Sequence, residues 1–142
     1  FWIYFKNCDF SNSSLSEVGI HNTYFDNCKF IGVDLSDSII KNIEVFDSTL
    51  RYIIISNNKI NDTIFRDCDL SNSSLFQLVL KKVEFNNCNL SNSSIQETSL
   101  KNIDISTCKI DNLRINFNDL KGSSINEIQA LSIIKNMDIN II

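Results

Sequence analysis

Cys68-Asp69-Leu70-Ser71-Asn72-Ser73-Ser74-Leu75 returns twenty residues later, almost unchanged, as Cys88-Asn89-Leu90-Ser91-Asn92-Ser93-Ser94-Ile95. Inside each copy the large apolar residues stand five apart. Extending that step in both directions gives Phe5, Phe10, Leu15, Ile20 and Phe25 at one end and Ile105, Ile110, Ile115, Leu120 and Ile125 at the other. Every fifth position between them is also large and apolar. A chain that is 43% hydrophobic would fill fewer than half of these positions by chance. A strict internal period is therefore the first fact about this sequence, and it precedes any reading of secondary structure.

The fifth residue can be called the centre of its pentad. Two positions before it the residues are mostly small or β-branched, as in Cys8, Ser13, Val18, Thr23, Cys28 and Val33. Residues two apart lie on one face of a strand, so both positions point inward and the residue between them points out. The remaining two residues must turn the chain. The longer period of twenty also organises the cysteines: Cys8, Cys28, Cys68, Cys88 and Cys108 share one column, with Ser48 on the missing rung. Four pentads thus make one coil, and four equal sides make a square prism. The predicted fold is all-β: a quadrilateral parallel β-helix over residues 1–125, followed by a short C-terminal α-helix and tail over 126–142. Coils spaced at about 4.8 Å give a rod of roughly 30 Å for just over six coils. A three-sided β-helix with eighteen residues per coil does not fit a five-residue register.

The composition agrees with one folded domain. The chain has 142 residues, is 21% charged, and has three glycines and no proline. So few glycines and prolines mean the turns are made by other residues. The net charge of −4 argues against direct nucleic-acid binding, which needs a basic face. No apolar run reaches the roughly eighteen residues of a membrane helix, and no signal peptide is recognisable. Phe1 falls within a repeat, so further chain is expected before it.

Cys8-Asp9-Phe10-Ser11-Asn12, Cys68-Asp69-Leu70-Ser71-Asn72 and Cys88-Asn89-Leu90-Ser91-Asn92 resemble the pentapeptide-repeat family: a small residue, Asp or Asn, Leu or Phe, and two variable residues. The resemblance covers nearly the whole chain and implies a right-handed coil. It departs at Ile39, Ile54, Ile64 and Val79, which replace the Asp or Asn. It departs also at Asn58 and Asn118, where a small inward residue is expected; both amides should be buried and hydrogen-bonded.

The tail carries a second resemblance. Leu120-Lys121-Gly122, followed by Gln129-Ala130-Leu131, is similar to the end of Qnr-type and MfpA-type quinolone-resistance members, which implies a cap and a two-fold dimer. Ser124 and Glu127 have capping-box spacing. Ile128, Leu131 and Ile134 recur at helical spacing and are expected to cover the last coil. Ala130, Ile133 and Met137 form an adjoining stripe, and Ile139, Ile141 and Ile142 add apolar surface. The two stripes and Ile139 are the expected dimer interface.

Little here suggests catalysis. The five cysteines climb one inner wall with no histidine among them, so they do not converge as zinc ligands. Parallel side chains one coil apart are slightly too distant for a disulfide. They read as small, reduced core residues suited to a cytoplasmic setting. His21, the only histidine, shares an outward corner with Lys41, Lys81, Lys101 and Lys121 and can complete no nucleophilic triad. No enzyme activity and no cofactor are expected.

Binding is the alternative. Glu44, Glu84 and Asp104 share one outward column; Asp47 and Asp67 share another; Glu17, Asp37 and Glu97 share a third. The resemblance implies a DNA-mimicking rod that occupies DNA gyrase or topoisomerase IV. Against it, residues 1–125 hold fifteen acids and twelve bases, an ordinary mixed surface. Ile31, Tyr52, Ile54 and Phe76 stand at nearby outward positions on successive coils, as an apolar patch for a partner would. The expectation is a non-enzymatic homodimeric binding protein, with a topoisomerase or an unspecified protein as partner.

Overall fold

The computed structural model describes all 142 residues, Phe1–Ile142. The strands are β1 (Ile3–Lys6), β2 (Gly19–Asp26), β3 (Ile39–Phe46), β4 (Ile54–Ser56), β5 (Lys59–Arg66), β6 (Ser74–Phe76), β7 (Val79–Asn86), β8 (Ser94–Gln96) and β9 (Arg114–Ile115). Two helices follow, α1 (Phe117–Leu120) and α2 (Glu127–Asn136). The order β1-β2-β3-β5-β7 forms one parallel sheet and β4-β6-β8-β9 another. Each pairing joins residues twenty apart, as in Ile3↔Thr23, Ile40↔Ile60 and Leu75↔Ile95. Isolated bridges from Asp9↔Lys29 to Asn89↔Lys109 make a further side. The molecule is a parallel β-solenoid of about six turns with a short C-terminal helix.

Hydrogen bonds along the axis hold the coils together. The amide of a centre residue reaches forward, as Phe10 N–H does to Lys29 O at 2.8 Å. The amide before a centre reaches back, as Lys29 N–H does to Cys8 O at 2.9 Å. The centre side chains fill the prism in a core of 28 buried residues. Phenylalanines repeat their geometry from coil to coil: Phe5 on Phe25 at 5.3 Å, Phe10 on Phe30 at 5.2 Å, Phe65 on Phe85 at 5.2 Å. In the first coil Phe5, Phe10, Leu15 and Ile20 are only partly buried, because they have neighbours on one side alone.

The corners explain the scarcity of glycine and proline. The second residue after a centre adopts a left-handed conformation at every corner from Asn7 (φ 57°) to Asn112 (φ 56°) except Thr107. Eleven of these residues are asparagine and four are aspartate, the non-glycine residues that enter this region at least cost. Their side chains also bond along the corner, as Asn27 Nδ2–H does to Asn7 Oδ1 at 2.7 Å and Asn42 Nδ2–H to Asn22 Oδ1 at 3.1 Å.

Asn58 is buried as expected. Its Nδ2–H donates to Leu35 O at 2.6 Å and its Oδ1 accepts from Ser38 N–H at 3.1 Å. Asn118 is not. It lies exposed in α1, which replaces the side that would have turned it inward. The corner before that side would place Phe117 at positive φ, a cost for a bulky side chain that the rod accepts at Tyr52 but avoids here with a helical turn. Register slips by one residue at the next corner, where Asn102 N–H reaches Gly122 O at 2.9 Å, but is kept on either side of it: Leu100 N–H donates to Asp119 O at 2.8 Å and Ile105 N–H to Ser124 O at 3.0 Å.

Candidate functional site

The cysteine column is a wall of the core. All five thiols are free; Cys28, Cys68, Cys88 and Cys108 are buried, and Cys8, in the open first coil, is half-buried. Each buried thiol donates to a centre carbonyl of the preceding coil, as Cys68 does to Val45 O and Cys88 to Phe65 O, both at 3.3 Å. The Cys88 thiol feels a lowering hydrogen bond from Cys108, but the Cys68 thiol and burial outweigh it and push Cys88 up to about 12. The Cys88 thiol and burial likewise raise Cys108. Cys68 moves the other way, lowered by its hydrogen bond with the Cys88 thiol, but burial closes it to reagents; the raised thiols are in addition poor nucleophiles at neutral pH. In the native protein a disulfide-exchange reagent should therefore label Cys8 first and the other four slowly, and all five at once in denaturant. Rapid native labelling of all five would contradict the wall.

The acidic columns are less free than their spacing suggests. Register places Glu44 between Tyr24 and Ile64, and Ile64 between Glu44 and Glu84. Glu44 is half-buried, one carboxylate oxygen has no partner, and its hydrogen bond to the Tyr24 phenol raises that group above its usual pKa. The Ser106 hydroxyl, together with Ser106 N–H donating at 2.8 Å, holds the Asp104 carboxyl below the usual range. Asp47 and Asp67 are exposed and stand at left-handed corners, where aspartate also has a backbone role. Beside them runs an aromatic ladder that periodicity alone did not disclose. Trp2 and Tyr4 meet Tyr24 at 5.1 and 5.0 Å, Tyr24 meets Phe46 at 5.8 Å, and Arg66 lies 5.4 Å from the Phe46 ring. Its signal was present as Trp2, Tyr4, Tyr24 and Phe46 at neighbouring outward positions.

Three of the four residues read as an apolar patch reach the surface fully. Tyr52, Ile54 and Phe76 are exposed, and Ile31 is half-buried. Tyr52 occupies a corner at φ 60°, where most coils place asparagine, and Arg51 lies 5.6 Å from its ring. The corresponding residues of the coils on either side include Gly32, Ser71 and Asn72, so Arg51 and Tyr52 project from a low surface.

The tail is rearranged relative to its sequence reading. α2 is capped by Asn126, not Ser124: Asn126 Oδ1 accepts from Gln129 N–H at 2.8 Å, and Gln129 Oε1 accepts from Asn126 N–H at 2.9 Å. The stripe expected to cover the last coil faces away from it, with Ile128 80% and Leu131 48% exposed and Ile134 exposed too. Gln129, Ala130 and Ile133 turn inward instead. The cause is polar. The last complete coil offers carbonyls with no following coil to satisfy them, and Gln129 Nε2–H donates to Ile105 O and Cys108 O, both at 2.8 Å. An apolar stripe would leave those oxygens unpaired. The signal was Asn126-x-x-Gln129, a capping-box spacing two residues beyond Ser124-x-x-Glu127. Met137 and Ile139 are exposed. No helix is long and apolar enough to cross a membrane.

Comparison with known proteins agrees with this architecture. A family model described as a pentapeptide repeat region matches residues 3–75, and one described as pentapeptide repeats (8 copies) matches residues 63–106. No curated protein matches the chain. Among solved structures, a trypsin-treated QnrB1, a plasmid-mediated fluoroquinolone resistance protein, is 15% identical; 99% of this chain and 98% of that one are covered, with a TM-score of 0.38. The pentapeptide repeat protein Rfr23 from the cyanobacterium Cyanothece 51142 is 13% identical over 87% and 91% of the two chains, with a TM-score of 0.44. A pentapeptide repeat protein from the Arabidopsis thaliana thylakoid lumen is 15% identical over 92% and 73%, with a TM-score of 0.36. With a model for the repeat spanning just over half its length, and its five-residue register visible on every side of the rod, this chain belongs to the pentapeptide-repeat family.

Proposed function

We propose that this chain is a non-enzymatic binding protein: a rigid rod, paired through its C-terminal helix, that presents its sides to a protein partner. The observation that carries the reading is the outer face of α2. Ile128, Leu131, Ile134 and Met137 are exposed there, and Ile139, Ile141 and Ile142 extend the apolar surface. Such a surface is unusual for a protein that acts alone. A two-fold partner with the same surface buries both sets at once. Ala130 and Ile133, already turned toward their own rod, contribute little to that contact. The exposed Tyr52, Ile54 and Phe76, with Arg51 beside them, are the residue types that anchor protein interfaces. Buried free thiols suit a reducing cytoplasm.

Light scattering of the intact chain at tens of micromolar tests the pairing. Ile128→Asp with Leu131→Asp should halve the mass and leave the circular dichroism unchanged. An unaltered mass would end the proposal of a tail-to-tail pair.

A second reading names the partner as a type II topoisomerase, DNA gyrase or topoisomerase IV. It is favoured by Glu84, Asp104, Asp47 and Asp67 lying on neighbouring columns of one edge, and opposed by the aromatic ladder among them. A supercoiling assay with and without a fluoroquinolone separates the two. No effect at micromolar protein leaves the general binding rod and removes the topoisomerase.

A further inference from the structure

The side of the rod that begins β2, β3, β5 and β7 has edges of opposite charge. Along one edge run Glu17, Asp37, Asn57, Gln77 and Glu97; along the other run His21, Lys41, Asn61, Lys81 and Lys101. The strand pairings His21↔Lys41, Lys41↔Asn61 and Asn61↔Lys81 fix the second column coil by coil. All ten residues are exposed except Asn61, which is half-buried. The acids are also held in place, since Asp37 Oδ1 accepts from Asn57 Nδ2–H and Glu97 Oε2 from Gln77 Nε2–H, both at 2.7 Å. Between the edges lies the column Gly19, Ile39, Lys59, Val79 and Ser99. There Ile39 is 63% and Val79 60% exposed, where the repeat elsewhere favours Asp or Asn.

We infer that this side is a second interface between copies of the chain, with two rods lying side by side and parallel. Symmetry selects the arrangement. A two-fold axis running along the rod sets the acidic edge of each copy on the basic edge of the other, at the same height. Asp37 then meets Lys41 of the second copy, Glu97 meets Lys101, Glu17 meets His21, and the amide Asn57 meets the amide Asn61. An axis across the rod would set acid on acid and lysine on lysine, which is repulsive. The charged positions of both columns repeat at the same coil spacing of about 4.8 Å, so the match holds along the whole side. Ile39 and Val79 lie on the axis and each meets its own counterpart, which removes the two most exposed aliphatic side chains of that side from water. Lys59 also lies on the axis, and its long stem splays toward the neighbouring amides to keep its charge in water. This contact uses none of the residues of the α2 pair. Because its axis runs along the rod and that of the tail pair runs across it, the two are compatible within one closed tetramer.

Sedimentation equilibrium of the intact protein in low and high salt tests the inference. Exposed ion pairs are screened by salt, so the mass should fall about twofold between 20 mM and 500 mM sodium chloride. Lys41→Glu with Lys101→Glu should halve the mass at low salt. Adding Asp37→Lys and Glu97→Lys to that same chain should restore it, because the edges have exchanged sign. Circular dichroism of both variants should match the parent. The Ile128→Asp, Leu131→Asp chain should keep its salt-dependent step, which separates failure of this contact from failure of the tail pair. A mass indifferent to salt and to charge reversal would overturn the inference, as would a reversed chain that the second pair of substitutions does not rescue.

Discussion

Replacing Leu75 with lysine should abolish the cooperative fold. Leu75 is buried in β6 between Ile55 of β4 and Ile95 of β8, with which it is paired in register. No carboxylate stands in its column, which runs through Leu15, Leu35, Ile55, Ile95 and Ile115. An ammonium group there has neither water nor partner. It costs several kcal/mol at the least, against a total stability of about 5–15 kcal/mol for an ordinary domain. A solenoid concentrates the damage, because each coil is stable only through its neighbours and Leu75 lies near the middle of the stack. Leu75→Met is the control; conserving volume and character, it should cost less than about 1.5 kcal/mol. Thermal unfolding followed by circular dichroism checks both. A native spectrum and an unchanged melting temperature for the lysine variant would mean that the five-residue register had been misassigned.

The second large effect is expected at Gln129. Gln129→Leu keeps roughly the same volume but removes both donors to Ile105 O and Cys108 O and the acceptor for Asn126 N–H. Each buried group left unpaired costs about 1–3 kcal/mol, so the expected loss is roughly 3 kcal/mol or more. At about 2–4 °C per kcal/mol for a chain near this size, the melting temperature should fall by roughly 6–12 °C. α2 should loosen first, so hydrogen exchange should rise in residues 127–136 before it rises in the coils. Gln129→Glu separates the two roles of the side chain. It keeps an acceptor for Asn126 N–H yet cannot donate at neutral pH, so a loss close to that of the leucine variant would assign the stabilisation to the donors. A melting temperature within 1 °C of the parent for both variants would show that the end of the rod does not depend on this amide.

These two residues also mark how far the sequence could be read. Leu75 was legible because its role is set by a period. An apolar residue at every fifth position, a small one two before it and a repeat of twenty leave one way to bury all the centres together, and the cysteine column follows from the same arithmetic. Asn58 was legible for the same reason, since an amide at an inward position must find backbone partners. The corners were half legible. Few glycines and no proline demanded another turn former, and asparagine at four of the five corners from Asn7 to Asn27 was in view, but its left-handed backbone was seen only in the structure.

What the tertiary structure alone decided lies where the period ends or where two columns meet. Asn118 follows the register in sequence, yet α1 carries it outward, because a short helix can replace one side of a coil without shifting the next. The helical stripes of α2 could be counted from sequence, but which of them faced the rod depended on what the last coil offered. It offered unpaired carbonyls, so the polar stripe with Gln129 went in and Ile128 and Leu131 stayed out. The charged columns could be listed residue by residue from the sequence, but their placement on opposite edges of one flat side, with Ile39 and Val79 between, required the coil to be closed. A one-dimensional period specifies which residues stack; only the closed prism specifies which stacks become neighbours.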